Sequence, residues 1–363
     1  MELGKIDGNF IEMQKLSLPD IALKDVSELP VDIYGFYKFE NDKIFKRMPD
    51  EVAKEIGGGV SKLYLDTAGG RIRFKTDSEY IAIKVSFSHI MRNSMMTSMN
   101  VCGFDLYENF PMTGTSRYVG AFDTGARPEL ENGYEAVIRF EGKKMRYFTM
   151  NFPHYSHVES LRIGIQKSSI IGNGMPYANK LPIVYYGSSI TQGACASRPG
   201  NSYENFISRR FNFDYINLGF SGNAKGEPKM AEYISGIPMS AFICDYDHNA
   251  PDAAFLLQTH SSLYRRIREN NPNIPYIIIS RPDFDVNYKQ SVYRRDAIYK
   301  TFIDGFNGGD ENLYYIDGAG MFNGEYEDSC TIDKTHPNDL GFMYMAESIG
   351  GVLKRAMSCG ANF

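Results

Sequence analysis

Two short polar stretches, far apart in the chain, contain side chains that could act together as a nucleophile and its base. Residues 187–193, GSSITQG, carry two serines and a threonine, and residues 333–336, DKTH, carry an aspartate three positions before a histidine. A serine hydroxyl is a weak nucleophile at neutral pH unless a base, usually histidine, removes its proton while a carboxylate orients that base. We therefore predict that Asp333 orients His336 and that His336 activates a serine of the first stretch.

The remaining histidines are weaker candidates for the base. Of the six histidines in the chain, only His248 and His336 follow predicted strands. Three of the others lie in the β-rich first half, and His260 lies in a predicted helix, where we expect a surface or packed residue. The three in the first half are His89, His154 and His157.

The hydrophobic pattern after residue 182 predicts the elements that position both stretches. Strand-like runs alternate with helical stretches, which is the order that builds a parallel sheet covered by helices on both faces. Ligands bind such a sheet outside the carboxyl ends of its strands, and both polar stretches are expected at that edge. The five strands are predicted at IVYYG, YINLGF, AFICDY, YIIIS and LYYID.

Helix start signals support the same architecture. Asn201, with Glu204 three residues later, is predicted to cap one helix, and Pro228 and Pro251 are predicted to stand in first helical turns. Long amphipathic helices are predicted over 252–270, 289–306 and 338–357.

The first half of the chain has a different period. Runs such as RIRFKT and YIAIKVSF alternate apolar with polar residues, as strands with one buried face do. Seven or more such runs without a convincing helix predict an all-β, jelly-roll-like sandwich. The Gly-, Pro- and Asn-rich residues 168–182 mark the change of pattern. We therefore predict an accessory domain over 1–175 and a catalytic domain over 176–363.

Composition excludes several classes of protein. The net charge of -5 argues against a nucleic-acid partner, and no apolar stretch is long enough to span a bilayer. The amino terminus lacks the pattern of a secretory signal, so a cytoplasmic location is expected. The five scattered cysteines suggest free buried thiols without disulfides or structural zinc, and Cys195, near the first stretch, is expected to be a packing residue. The sequence leaves the oligomeric state open, and a homo-oligomer is one of the alternatives.

Residues 181–356 resemble the SGNH, or GDSL-type, hydrolase superfamily. In its first motif, Gly-Asp-Ser-Leu/Ile-Thr, the serine is the nucleophile, and residues 187–191 align Ser189 with it, while Ser188 replaces the usual aspartate. The last motif, Asp-x-x-His, matches Asp333 and His336. The resemblance implies a flavodoxin-like three-layer α/β/α fold and a catalytic triad of Ser189, Asp333 and His336.

The second and third motifs of that superfamily supply an oxyanion hole. The glycine of the second motif matches Gly222 in NLGFSGNAKG. The asparagine of the third motif matches Asn249 in DYDHNAP, although the usual Gly-x-Asn-Asp is not reproduced there. The resemblance implies three donors, namely the backbone N–H groups of Ser189 and Gly222 and the side-chain amide of Asn249. We expect glycine at 222 because a Cβ there would intrude on the substrate.

A second resemblance concerns the first half. Gly103-Phe104-Asp105-Leu106-Tyr107 is similar to the Gly-x-Asp-Leu-Tyr signature of a β-domain that precedes some bacterial SGNH esterases, including carbohydrate esterases. That domain would bind sugar or wall one side of the active site. The chain contains no Trp, which weakens the sugar-binding option.

The two resemblances together imply a serine esterase that removes a short acyl group, most simply acetyl, from a carbohydrate or related small molecule, without metal or cofactor. Three residues at the same edge are candidates for binding a small-molecule or oligosaccharide substrate: His248, Arg198 and Arg281. Two alternatives stay open. One is a non-catalytic carbohydrate-binding or scaffold protein with a degenerate hydrolase domain, and the other is a thioesterase or lipase of the same superfamily.

Overall fold

The computed structural model describes residues 16–122, 124, 133–322 and 326–359. The chain divides into two compact units. The first contains residues up to 46, residues 65–176 and residues 198–200, and the second contains residues 47–64, 177–197 and those from 201 onward. The change at 176 lies next to the predicted boundary. Residues 47–64, however, belong to the second unit although they precede that boundary, and residues 198–200 belong to the first unit although they follow it.

The described residues of the first unit form two antiparallel sheets. Its strands run in the orders β1-β9-β4-β7 and β10-β3-β8-β5-β6, with β2 paired to β3. The strands are β1 (Ile21–Asp25), β2 (Asp32–Tyr34), β3 (Arg71–Thr76), β4 (Tyr80–Ile90), β5 (Phe104–Phe110), β6 (Thr115–Phe122), β7 (Tyr134–Arg139), β8 (Arg146–Asn151), β9 (Ser156–Gln166) and β10 (Ile171–Asn173). The antiparallel β-domain predicted for the first half is therefore confirmed.

Short helices interrupt the first half, contrary to the expectation that it contains no helix. They are α1 (Phe39–Asp42), α2 (Asp50–Ile56), α3 (Val60–Leu63) and α4 (Ser98–Cys102). Two of them, α2 and α3, lie in residues 47–64 and so belong to the second unit. Arg47, whose side chain is buried, fixes that segment by donating to the carbonyl oxygens of Gly219 at 2.6 Å and Leu63 at 2.6 Å.

The second unit contains a five-stranded parallel sheet in the order β12-β11-β13-β14-β15. This is the flavodoxin-like order, in which chain direction across the sheet reverses beside the first strand. The strands are β11 (Ile183–Gly187), β12 (Tyr215–Gly219), β13 (Ala241–Asp245), β14 (Tyr276–Ile279) and β15 (Leu313–Ile316). All five predicted strands and the predicted fold class are confirmed.

Helices cover both faces of this sheet. Buried side chains of α6 and α10, such as Ile207 and Phe342, pack with Ile183 and Ile243 on one face. On the other face His260 of α8 contacts Cys244. The helices are α5 (Ser189–Gln192), α6 (Tyr203–Phe211), α7 (Pro228–Ser235), α8 (Ala253–Asn270), α9 (Tyr288–Asn307) and α10 (Asp339–Cys359).

The long helices lie where the sequence predicts them, but α6 and α8 begin at other residues than the start signals predict. Pro228 is the first residue of α7, as expected. In α6, however, Ser202 rather than Asn201 is the capping position, and Glu204 is fully buried instead of completing a cap. In α8 the cap is Asp252, whose side chain accepts from the Phe255 N–H, so Pro251 lies before the helix. Among the described residues, no helix is both long and apolar enough to cross a membrane.

Candidate active site

The turn after β11 presents Ser189 at the start of α5. Ser188 has an extended backbone, and its hydroxyl accepts the Ile190 N–H at 3.1 Å, so this residue caps the helix. Gly187 leaves no room for a side chain, because an added Cβ would lie 2.0 Å from Thr191 Oγ1 and 2.4 Å from the Asp245 carbonyl oxygen. A buried strand, a glycine and a capping serine thus fix the turn that carries Ser189.

The structure brings Ser189, His336 and Asp333 together. Ser189 Oγ lies 2.8 Å from His336 Nε2, and His336 Nδ1 lies 2.7 Å from Asp333 Oδ2. A carboxylate can only accept, so Nδ1 carries the imidazole proton and the Nε2 lone pair faces the serine hydroxyl. This is the tautomer that a general base for Ser189 requires.

The loop that carries Asp333 and His336 is closed by its own backbone. Asp333 Oδ1 accepts the N–H groups of His336 at 2.7 Å and Thr335 at 3.0 Å, and the Ile332 N–H donates to the His336 carbonyl oxygen at 2.9 Å. Burial alone would raise the pKa of Asp333, but these N–H groups and the imidazole outweigh it and lower that pKa below its usual value. Asp333 therefore stays ionised, as a residue that stabilises an imidazolium must.

The thiol of Cys195 is not a candidate nucleophile. Burial and the charge of Asp333 raise the pKa of Cys195 to about 11, so its thiolate is negligible at neutral pH. The expectation that it is a packing residue agrees with its burial. Cys102, Cys244 and Cys330 are likewise free and buried.

Gly222 and Asn249 occupy the loops after β12 and β13. Gly222 has a φ of +68°, and no atom of the protein lies within 4 Å of a Cβ added there. Glycine is therefore favoured at this position by the left-handed backbone and not by crowding from other residues of the protein. Among the described residues, the Gly222 N–H has no hydrogen-bond partner. Asn249 Nδ2 donates one hydrogen bond to the Phe220 carbonyl oxygen at 2.9 Å, which leaves its second N–H available.

A buried arginine that the sequence analysis did not single out fixes the loop of Asn249. Arg294 of α9 donates from Nε to Asp247 Oδ1 at 2.7 Å, and from Nη2 to the carbonyl oxygens of Asp247 and of Ala250, the latter at 2.8 Å. These groups stand on both sides of Asn249. No sequence signal separates this buried arginine from the half-buried Arg295 beside it.

The three residues expected to bind substrate are engaged by carboxylates of the protein. Arg198 belongs to the first unit, where it donates to Asp105 Oδ2 at 2.9 Å and to the Tyr107 hydroxyl. The Gly-x-Asp-Leu-Tyr signature thus holds an arginine, and Asp105 also accepts the Gly200 N–H at 2.8 Å. His248 and Arg281 both contact Asp283. Contact of these three side chains with a substrate stays a prediction.

A buried carboxyl group lies beneath the turn that carries Ser189. Asp245, the last residue of β13, is fully buried, and its Oδ2 accepts from Thr191 Oγ1 at 3.1 Å and from the Tyr203 hydroxyl at 3.4 Å. Burial raises the pKa of Asp245 to about 7, and burial also raises that of Glu204 well above its usual value.

In the described part of the chain, no cluster of three or more His, Cys, Asp or Glu side chains could hold a metal ion.

Two family models match the chain. Residues 180–354 match the GDSL-like lipase/acylhydrolase family, and residues 21–171 match the N-terminus of SGNH-hydrolase-type esterases. Residues 180–354 are thus a GDSL-like hydrolase segment, preceded by a segment of the kind found at the N-terminus of SGNH-type esterases. No curated protein matches the chain.

Solved structures show the same fold over nearly the whole chain. A protein described as a GDSL-like lipase from Bacteroides ovatus is 29% identical, with a TM-score of 0.81 over 93% of this chain and 98% of its own. The salicylyl-acyltransferase SsfX3 from a tetracycline biosynthetic pathway is 18% identical, with a TM-score of 0.73 over 94% and 98%. A family two carbohydrate esterase from Clostridium thermocellum, solved with cellohexaose, is 13% identical, with a TM-score of 0.58 over 80% and 93%. The chain is thus similar in fold to a GDSL-like lipase, an acyltransferase and a carbohydrate esterase.

Proposed function

We propose that this GDSL-like hydrolase is a serine esterase that removes short acyl groups, O-acetyl in the first place, from carbohydrates or related small molecules. The observation that carries the proposal is the hydrogen-bonded series from Ser189 Oγ to His336 Nε2 at 2.8 Å and from His336 Nδ1 to Asp333 Oδ2 at 2.7 Å. The carbohydrate part of the proposal draws on the fold shared with carbohydrate esterases. The match of residues 21–171 to the N-terminus of SGNH-type esterases supports the esterase part.

Acylation would begin when Ser189 Oγ attacks the carbonyl carbon of the ester while its proton passes to His336 Nε2. The resulting imidazolium is stabilised by Asp333, which stays ionised because its pKa is lowered. The tetrahedral intermediate then collapses, the C–O bond to the alcohol breaks, and His336 returns the proton to the leaving oxygen. An acyl-Ser189 and a free alcohol result.

Deacylation repeats the same steps with water as the nucleophile. His336 Nε2 takes a proton from water, which attacks the acyl carbon, and then returns a proton to Ser189 Oγ as the carboxylic acid leaves. In both steps the negative oxygen needs donors, and we assign this role to the backbone N–H groups of Ser189 and Gly222 and to Asn249 Nδ2. One such donor contributes roughly 100-fold to the rate in comparable enzymes.

Two features weigh against a non-catalytic scaffold. The absent aspartate at position 188 is replaced by a serine that caps the turn, so the nucleophile is still held. The imidazole is also in the tautomer that catalysis needs, although a scaffold would have no use for this. Within the superfamily, an aryl ester series of rising acyl length separates an acetylesterase from a lipase, and an acyl thioester tests for a thioesterase.

The decisive experiment is hydrolysis of a chromogenic acetyl ester by Ser189→Ala. We expect kcat to fall by about 10⁴-fold or more, because the nucleophile is lost, while the thermal midpoint stays close to that of the wild type. Ser261→Ala, which removes a hydroxyl that pairs with Thr301 between α8 and α9, is the matched control and should retain turnover. A fluorophosphonate probe should label the wild type and not Ser189→Ala. Undiminished turnover by Ser189→Ala would refute the proposal.

A further inference from the structure

The loop after β14 contains a buried carboxylate that is not part of the triad. Asp283 is 1% exposed at its side chain, and it lies in the Arg281-Pro282-Asp283 stretch that the sequence analysis considered for substrate binding. A buried carboxylate is costly unless its oxygens are fully paired, so the partners of Asp283 indicate what it does.

Asp283 is paired on all sides by groups from three loops. Its Oδ1 accepts from His248 Nε2 at 2.8 Å and from Arg281 Nε at 2.9 Å. Its Oδ2 accepts from Arg281 Nη2 at 2.9 Å and from the Thr335 hydroxyl at 3.3 Å. Four donors thus occupy the acceptor sites of one carboxylate.

Two of these partners are direct neighbours of residues assigned to catalysis. His248 precedes Asn249, the side-chain donor of the proposed oxyanion hole, and Thr335 precedes His336, the proposed base. The remaining partner, Arg281, lies in the loop of Asp283 itself and neutralises its charge. Burial alone would raise the pKa of Asp283, but His248 and Arg281 outweigh it and hold that pKa well below its usual range.

We propose that Asp283 is a positioning residue that ties the Asn249 loop and the His336 loop to the end of β14, so that base and oxyanion donor keep one fixed distance. The proposal rests on the proposed esterase function. It assigns His248 and Arg281 to the support of the site and not to the substrate. Displacement of a catalytic group by about 1 Å can cost about 100-fold in rate, so a carboxylate that fixes two such groups has a large effect without touching substrate.

The test uses the full chain and three variants. Thr335→Val removes one hydrogen bond to Asp283 and keeps the side-chain shape, Thr335→Ser restores the hydroxyl, and Asp283→Asn removes the charge. At saturating aryl acetate we expect Thr335→Val to lower kcat by about tenfold and Asp283→Asn by about 100-fold, with KM changed by less than about twofold. Thr335→Ser should recover most of kcat, and Ser189 should react with a fluorophosphonate more slowly in proportion to the loss of kcat.

A double variant separates positioning from general stability. If Thr335 acts through Asp283, the Asp283→Asn/Thr335→Val protein should be no slower than Asp283→Asn alone. Thr301→Val is the matched control, because it removes a buried hydroxyl that pairs with Ser261 and should lower the thermal midpoint without lowering kcat. If Asp283→Asn does not fold, the Thr335→Val and Thr335→Ser pair decides alone.

Two results would overturn the inference: a wild-type kcat for Thr335→Val, or losses in the two single variants that multiply in the double variant. Failure of the proposed function looks different. A wild-type protein that neither reacts with the fluorophosphonate nor hydrolyses the aryl acetate refutes the esterase, whereas an active wild type with an unaffected Thr335→Val refutes the positioning role of Asp283 alone.

Discussion

At the scale of single residues, spacing after predicted strands indicated Asp333, His336 and a serine of residues 187–193, and the resemblance to the SGNH superfamily selected Ser189 among them. Asp333, His336 and Ser189 meet because the turn that carries Ser189 and the Asp-x-x-His loop lie at the same edge of one parallel sheet. The partners of charged side chains could not be predicted in the same way. Arg281 and His248 carry no signal that both contact Asp283, since this pairing depends on how three loops fold.

Asn249 allows a prediction at the same scale. Its Nδ2 is held by the Phe220 carbonyl oxygen, so the amide is oriented before substrate binds. We expect Asn249→Ala to lower kcat for an acetyl ester by roughly 100-fold, with a smaller change in KM, because the donor acts mainly on the tetrahedral intermediate. Asn271→Ala, which removes an amide bonded to the Ser235 carbonyl oxygen, is the control. Steady-state kinetics that show equal effects of the two substitutions would remove Asn249 from the oxyanion hole.

At the scale of elements, residues 47–64 are the part of the second unit that sequence reasoning missed. The segment precedes several strands of the first unit in the chain, and its α2 and α3 are too short to give a clear helical period. Its Gly59 N–H donates to Asn223 Oδ1 at 2.9 Å, next to Gly222. The segment therefore supports the loop that carries a proposed oxyanion donor.

Gly59→Ala tests this support. Gly59 has an ordinary negative φ of -74°, but an added Cβ would lie 2.2 Å from Asn223 Nδ2, so Asn223 and the adjacent loop must move. We expect kcat to fall by about tenfold or more and the thermal midpoint to fall by several degrees, because a close-packed contact is overfilled. Gly351→Ala in α10 is the matched control, since its Cβ meets no atom within 4 Å. Activity equal to that of the control would show that the loop does not depend on residues 47–64.

At the scale of the whole molecule, the alternation of strands and helices predicted the parallel sheet, and the twofold period predicted the antiparallel first unit. Buried polar groups were not predictable, because a sequence does not reveal which acidic residues fold into the interior. Asp245 and Glu204 are both fully buried in the second unit. Each has a raised pKa because burial disfavours its charged form. The protein thus contains carboxyl groups that oppose folding as they ionise.

The pKa of about 7 for Asp245 leads to a prediction about stability and pH. An unfolded Asp ionises near pH ~3.9, whereas folded Asp245 stays neutral up to about pH 7. Between these pH values the unfolded state has released a proton that the folded state still holds. The unfolded state therefore becomes more stable relative to the folded state as the pH rises. From about pH 5 to about pH 8, Asp245 should therefore lower the free energy of unfolding by about 3 kcal/mol. In Asp245→Asn this contribution is absent, while that of Glu204 remains. Denaturant unfolding at both pH values should give a smaller decrease for Asp245→Asn than for the wild type, and equal decreases would show that Asp245 is already ionised at the lower pH.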